Sequence, residues 1–179
     1  MPSYVAFLRA VNVGGRFVRM AGLRAALVDA GFTDVETHIQ SGNVFVRSAR
    51  RSTASVAAEL SRVVAAFAGF DVPAVVRTPA QLREALRVAD GIPPMLDGEL
   101  RRYLALADGP VPAAAAATLE AWDKPGERVR VLGWEVLADM TSGFHRTTLT
   151  TTRLERLTGL TTTWRDLSVV RAVDERWGA

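Results

Sequence analysis

VETHIQSGNVFVRS, Val35 to Ser48, decides the fold of this 179-residue chain. Val35 to Gln40 reads as one strand and Asn43 to Ser48 as a second, with Ser41-Gly42 as the tight turn of a hairpin between them. Upstream, Leu23, Ala26, Leu27 and Ala30 recur at helical spacing over Met20 to Ala30, and Gly31 stops the helix. Before that helix lies Tyr4 to Val11, a strand apolar on both faces except at Arg9, which calls for cover on both sides. Downstream, Ser52 or Thr53 caps a helix reaching about Ala68, with Val56, Leu60, Val63, Val64 and Phe67 on its buried side. Asp71 to Thr78 supplies a fourth strand, and Pro79 opens another helix.

Strand, helix, strand, strand, helix, strand is the order of a ferredoxin-like plait. The expectation is an α+β chain whose first lobe, residues 1–78, carries two helices on one face of a four-stranded antiparallel sheet. Within it the first and third strands are expected as parallel neighbours, so that the turns after both share one end.

The second half, residues 79–179, reads as a partial plait-like lobe packed on the first. Gln81 to Val88 is helical, and Asp90-Gly91-Ile92-Pro93-Pro94 breaks it as the best linker. Arg101 to Ala107 is a strand and Pro112 to Trp122 a helix. Val129 to Leu132 and Glu135 to Asp139 form a hairpin about Gly133-Trp134, and Arg146 to Leu157 and Leu167 to Arg176 are helical. No internal repeat is visible in the residues themselves.

Composition narrows the classes. Near-half apolar content supports a buried core, and no apolar run approaches the roughly 20 residues of a membrane span. No export signal is visible, so no membrane partner is expected. The absence of cysteine removes disulfides, a thiolate nucleophile and Cys-ligated metal, and fits a cytoplasmic protein. All but one of the 22 basic residues are arginine, the exception being Lys124. Residues 1–78 hold nine arginines against five acids, while the remainder holds thirteen basic against fourteen acidic residues. The positive excess therefore lies in the first half.

That excess directs attention to the first strand-to-helix turn, Asn12-Val13-Gly14-Gly15-Arg16 through Arg19. If the turns after strands one and three share an end, Asn12, Gly14, Gly15, Arg16 and Arg19 stand beside Arg50 and Arg51. Two helix N-termini would then offer free amides, two glycines would admit close backbone approach, and arginine would supply a fork for phosphate or carboxylate. Gly14-Gly15 matches neither the dinucleotide fingerprint nor the phosphate loop with its lysine, and a Gly-Gly pair also serves plain turn chemistry.

Other candidates carry less. Phe7 and Phe45 could share a sheet face, as base-stacking aromatics do in RNA-recognition plaits, but the signature of those modules is missing and core packing is the expectation. His38 and His145 each lack a partner at metal spacing. His145, in the polar stretch Thr141-Ser142-Gly143-Phe144-His145-Arg146, could serve acid–base work, against the commoner case of a surface histidine beside a helix capped by Ser142 or Thr141. The threonine-rich stretches 147–152 and 161–163 read as neighbours of helix starts. Trp122, Trp134, Trp164 and Trp177 read as core or interface anchors.

The N-terminal third resembles the bacterial domain-of-unknown-function family 1697. The resemblance lies in Tyr4-Val5-Ala6-Phe7-Leu8-Arg9-Ala10-Val11-Asn12-Val13-Gly14-Gly15, in Met20, Leu23-Arg24 and Gly31-Phe32, and in Ile39-Gln40-Ser41-Gly42-Asn43-Val44. The family carries glycine where Ala10 stands. Near its C-terminus it has an Arg-Asn pair before a tryptophan in a threonine-led motif; here Thr162-Thr163 precede Trp164 and Arg165-Asp166 follow. The resemblance implies two plait-like subdomains and brings no established activity.

The functional expectation is a binding module for an anionic ligand, namely phosphate, nucleotide or nucleic acid, without metal, cofactor or covalent catalysis. The alternatives are a small-molecule enzyme with a site between the lobes, using His145 with the arginines of the opening turn, and a self-associating scaffold.

Overall fold

The computed structural model describes residues 1–12 and 14–178. Val13, part of the opening turn, and Ala179 lie outside the described residues. The chain is α+β, with two antiparallel sheets. It divides into two compact units, residues 1–82 with 173–179 and residues 83–172.

The first unit runs β1 (Ser3–Leu8), α1 (Met20–Asp29), β2 (Thr33–His38), β3 (Asn43–Arg47), α2 (Thr53–Ala68) and β4 (Ala74–Arg77). Its strands lie in the order β2-β3-β1-β4. Alternation in β1 sends Tyr4, Ala6 and Leu8 to one face, where Val44 and Val46 of β3 and Ala74 and Val76 of β4 join them. Leu23 and Leu27 of α1 and Val56, Leu60 and Val64 of α2 close over that face with no exposed surface. Each such aliphatic side chain contributes about 1.5–3 kcal/mol on burial. Phe67, expected on the buried side of α2, is 41% exposed, its ring lying across Gly22 of α1.

The other sheet face carries Val5, Phe7 and Val75, all fully buried. Phe7 and Phe45 do share this face, since Val5 pairs with Phe45 and Phe7 with Asn43. Trp177 stacks on Phe45 at 5.8 Å between centroids, so neither ring is a free base platform.

One expectation is overturned here. β1 and β3 are neighbours, but they run antiparallel, with Ser3 opposite Arg47 and Phe7 opposite Asn43. The reason is chain direction. The β1-α1-β2 crossover leaves β1 and β2 parallel, and the hairpin then brings β3 back between them in the opposite sense. The turn after β1 and the turn after β3 therefore lie at opposite ends of the sheet.

The second unit contains β5 (Arg101–Ala107), α4 (Ala113–Glu120), β6 (Asp123–Lys124), β7 (Glu127–Leu132), β8 (Glu135–Met140), a 3₁₀ turn (Phe144–Arg146), α5 (Thr151–Thr158) and β9 (Thr162–Asp166). Two further helices, α3 (Pro79–Asp90) and α6 (Leu167–Trp177), have residues in both units. The sheet order is β6-β7-β8-β5-β9. Apart from the two-residue edge strand β6, this repeats the first unit: a hairpin, then the first strand, then the last. The last strand, β9, occupies a threonine-rich stretch that was expected to neighbour a helix start. β-Branched threonines and a tryptophan instead suit a pleated, buried surface, and Thr162, Thr163 and Trp164 are all buried.

α5 begins at Thr151, five residues later than its spacing suggests. The buried Glu127 carboxylate accepts from the Thr148 amide at 2.6 Å and hydroxyl at 2.7 Å, holding that segment out of the helix, and Thr150 caps the Arg153 amide. The Asp90–Pro94 break is fastened as well. Fully buried Asp139 accepts from Arg102 Nε and from the Met95 amide, each at 2.8 Å, while Arg102 reaches the Pro93 carbonyl at 3.4 Å. Among the described residues no helix is long and apolar enough to cross a membrane.

Candidate functional site

The antiparallel pairing splits the expected site residues into two groups. Arg50 and Arg51 follow β3, at the end of the sheet where β1 begins. There Arg50 meets Glu59 at 3.5 Å, its carbonyl accepts from the Tyr4 hydroxyl, and Ser52 caps α2 by accepting from the Ser55 amide at 3.1 Å. Asn12, Gly14, Gly15, Arg16 and Arg19 stand at the other end and have different neighbours. These are the Ile39–Gly42 hairpin loop, joined to β1 by the Leu8 amide on the Gly42 carbonyl, and the segment before β4, joined by the Arg9 amide on the Pro73 carbonyl.

The opening turn is built as follows. The Asn12 amide donates to the Arg16 carbonyl at 2.8 Å, closing a loop over the two glycines. Gly14 and Gly15 sit at φ +58° and +83°, and a Cβ on either would meet nothing within 4 Å. They serve the left-handed backbone of the turn, and close approach of a partner is not what requires them. The Asn12 side chain clasps two loops: Oδ1 accepts from the Val18 amide at 2.8 Å, while Nδ2 donates to the Gln40 carbonyl at 2.5 Å and the Val18 carbonyl at 3.3 Å. Asn12 is thus a positioning residue. Arg16 lies over the Phe70 ring, 5.4 Å from its centroid.

Beside this clasp is a cavity of about 700 Å³, lined by Asn12, Phe17, Arg19, Arg24 and Gln40 together with the apolar first turn of α1. Arg19 occupies the N-cap position of α1 with no side-chain cap, which leaves the first amides of the helix without the partner that Ser52 gives α2. Arg24 donates to Thr37 Oγ1 at 2.7 Å, which holds its guanidinium in place and leaves further donors over the cavity. Among the described residues no carboxylate lines it. Phe17 is 78% exposed.

Phe17, Arg24 and Gln40 were not among the expected site residues, although Arg24 and Gln40 fall in the blocks that carry the family resemblance. An aromatic residue between two arginines in a polar turn was a visible signal for the first. The other two depend on knowing that the hairpin loop and the first turn of α1 share an end with the turn.

His145 occupies the 3₁₀ turn of the second unit, and neither Thr141 nor Ser142 caps it. A polar cavity of about 440 Å³ is lined there by Glu99, Arg101, Tyr103, Ser142 and His145. The Tyr103 hydroxyl accepts from the Phe144 amide at 3.3 Å. Among the described residues no group of three His, Asp or Glu side chains is placed to hold a metal ion.

Residues 1–136 match the family described as protein of unknown function, DUF1697. No curated protein matches the chain. Among solved structures, a conserved bacterial protein from Streptococcus pneumoniae aligns over 100% of this chain and 99% of its own, with a TM-score of 0.77 and 20% identity, a likeness of fold.

Proposed function

The chain belongs to the DUF1697 family of proteins of unknown function, and within it we propose that this member is a binding module for an anionic ligand, taken up beside the opening turn by Arg19 and Arg24. One observation carries the reading: the arginines of this cavity have no carboxylate partner among the described residues. Elsewhere in the first unit Arg47 pairs with Asp34, Arg50 and Arg62 with Glu59, and Arg176 with Glu36. Arginines left without counter-charge around a concavity favour an anion from solution. The uncapped start of α1 adds the positive end of a helix at the same place. The absence of cysteine supports a reducing, cytoplasmic setting for this work.

Titration of the full chain with inorganic phosphate and AMP, followed by calorimetry and amide chemical shifts, tests this. Arg19→Glu weakens binding at least tenfold, whereas Arg51→Glu, at the far end of the sheet, leaves it unchanged. Equal loss in both variants, or loss in neither, removes the proposal.

A second reading, acid–base catalysis on a small polar molecule, is favoured by the cavity that joins His145 to Tyr103, Ser142 and Glu99. Under it, His145→Ala abolishes a turnover that Arg19→Glu leaves intact.

A further inference from the structure

We infer that the anion is a mononucleotide, with its base stacked on Phe17 and its phosphate held between Arg19 and Arg24; this rests on the anion-site reading above. A cavity of about 700 Å³ is the size of a small-molecule site and exceeds what a bare phosphate needs. Its wall is divided. Arginine forms one part, while Phe17, Val18 and Met20 form an apolar part that a simple anion would not use.

Phe17 is the most exposed large hydrophobic side chain of the described residues, at 78%. An aromatic ring left open beside cations is what a planar, π-faced group attached to a phosphate would cover. Among the described residues the Gln40 side chain has no hydrogen bond beyond the long 3.5 Å approach of Asn12 Nδ2, so it keeps an amide donor and acceptor for the edge of a base. Arg24 lines the same cavity and spends one hydrogen bond on Thr37, so the guanidinium keeps further donors for phosphate oxygens.

A polynucleotide fits less well. Among the described residues Phe17 is the one aromatic side chain lining the cavity, and the sheet face that would carry further bases is closed at Phe7 and covered by Trp177 at Phe45.

The test compares AMP, ribose 5-phosphate and inorganic phosphate on the wild-type chain and on Phe17→Ala, Phe17→Tyr and Arg19→Glu, with thermal melts to confirm folding. The expected result is that AMP binds about tenfold more tightly than ribose 5-phosphate. Phe17→Ala removes that advantage without changing ribose 5-phosphate binding, and Phe17→Tyr keeps it. If AMP and ribose 5-phosphate bind alike and Arg19→Glu weakens both, the base platform is wrong and the anion site stands. If Arg19→Glu weakens neither, both fall. A single-stranded RNA decamer that binds a hundredfold more tightly than AMP overturns the mononucleotide in favour of a polymer.

Discussion

Ala10, Asn12 and Ile39 hold left-handed backbone at φ +55°, +57° and +51°, and Asp34 is the one other non-glycine described residue that does so. Three of the four thus fall in the two loops that Asn12 clasps together. Asparagine tolerates this region; alanine and β-branched isoleucine do not. The glycine that the family carries where Ala10 stands has a physical reason, since that residue sits where a Cβ crowds the following carbonyl. Ala10→Gly removes strain of about 1–2 kcal/mol and gives back about 0.4–1 kcal/mol as unfolded-chain entropy. The net expectation is a gain of about 0.5–1 kcal/mol, read as a higher urea midpoint at unchanged slope. Gly42 is the opposite case. At φ +79°, a Cβ there would lie 2.9 Å from Leu8 Cβ, inside the core-facing side of β1. Gly42→Ala loses about 2 kcal/mol or more in the same assay, and an unchanged midpoint would show that the hairpin loop does not meet β1 as described.

At the scale of elements, Glu127 at the start of β7 ties down the segment that precedes α5. Burial pushes its carboxyl pKa up, but hydrogen bonds from Trp122 Nε1 and from the Thr148 hydroxyl and amide outweigh burial and hold it below the ordinary value of 4.5. A folded-state pKa below the unfolded one means that the stabilisation is fully present above about pH 4.5 and is lost as pH falls through the folded value. Glu127→Gln removes the charge and turns an amide donor toward donors. Unfolding at neutral pH therefore becomes easier by about 2–3 kcal/mol, and the gap from wild type narrows in acid. Denaturant titrations between pH 3 and pH 7 measure both. The same carboxylate shows where sequence reading stops. The helices α1 and α2 and the β2-β3 hairpin were legible because apolar periodicity and Gly42 are local signals. The late start of α5 was not, because it is set by a residue more than twenty positions upstream. β9 was missed because threonine suits both a cap and a strand, and only its pairing with β5 decides between them. The direction of β3 was legible in principle from the hairpin and the crossover together. Taking β1 and β3 as parallel placed Arg50 and Arg51 at the wrong end of the sheet. Of the remaining residues expected around an anion, Asn12 and Arg19 line the cavity while Gly14, Gly15 and Arg16 do not, and the two blocks that carry the family resemblance, at Tyr4–Gly15 and Ile39–Val44, meet where Asn12 reaches Gln40.

Across the molecule, the charge is divided unevenly. The first unit holds ten arginines against seven acids, and the second holds twelve basic against twelve acidic residues, so the whole net charge of +3 belongs to the first. The imbalance was readable in the sequence, but its location within the unit depends on which arginines find acids. Asp34, Glu36 and Glu59 take Arg47, Arg176, Arg50 and Arg62, whereas Arg19 and Arg24, in the cavity beside the opening turn, have no carboxylate partner among the described residues. Ionic strength then discriminates between the ligand classes such a surface could serve. A mononucleotide held by two arginines is screened modestly, and raising salt from 50 to 200 mM lowers AMP affinity only a few-fold. A polymer contacting six or more phosphates would lose about a thousandfold over the same range. Restoring balance locally should act in the same direction as salt. Ala21→Glu, in the first turn of α1, places a carboxylate at the cavity wall beside Arg19, and the AMP affinity of that variant should be both lower and less dependent on salt than that of wild type. A variant that binds AMP as tightly as wild type, with the same salt dependence, would mean that the arginines of this cavity do not hold the phosphate.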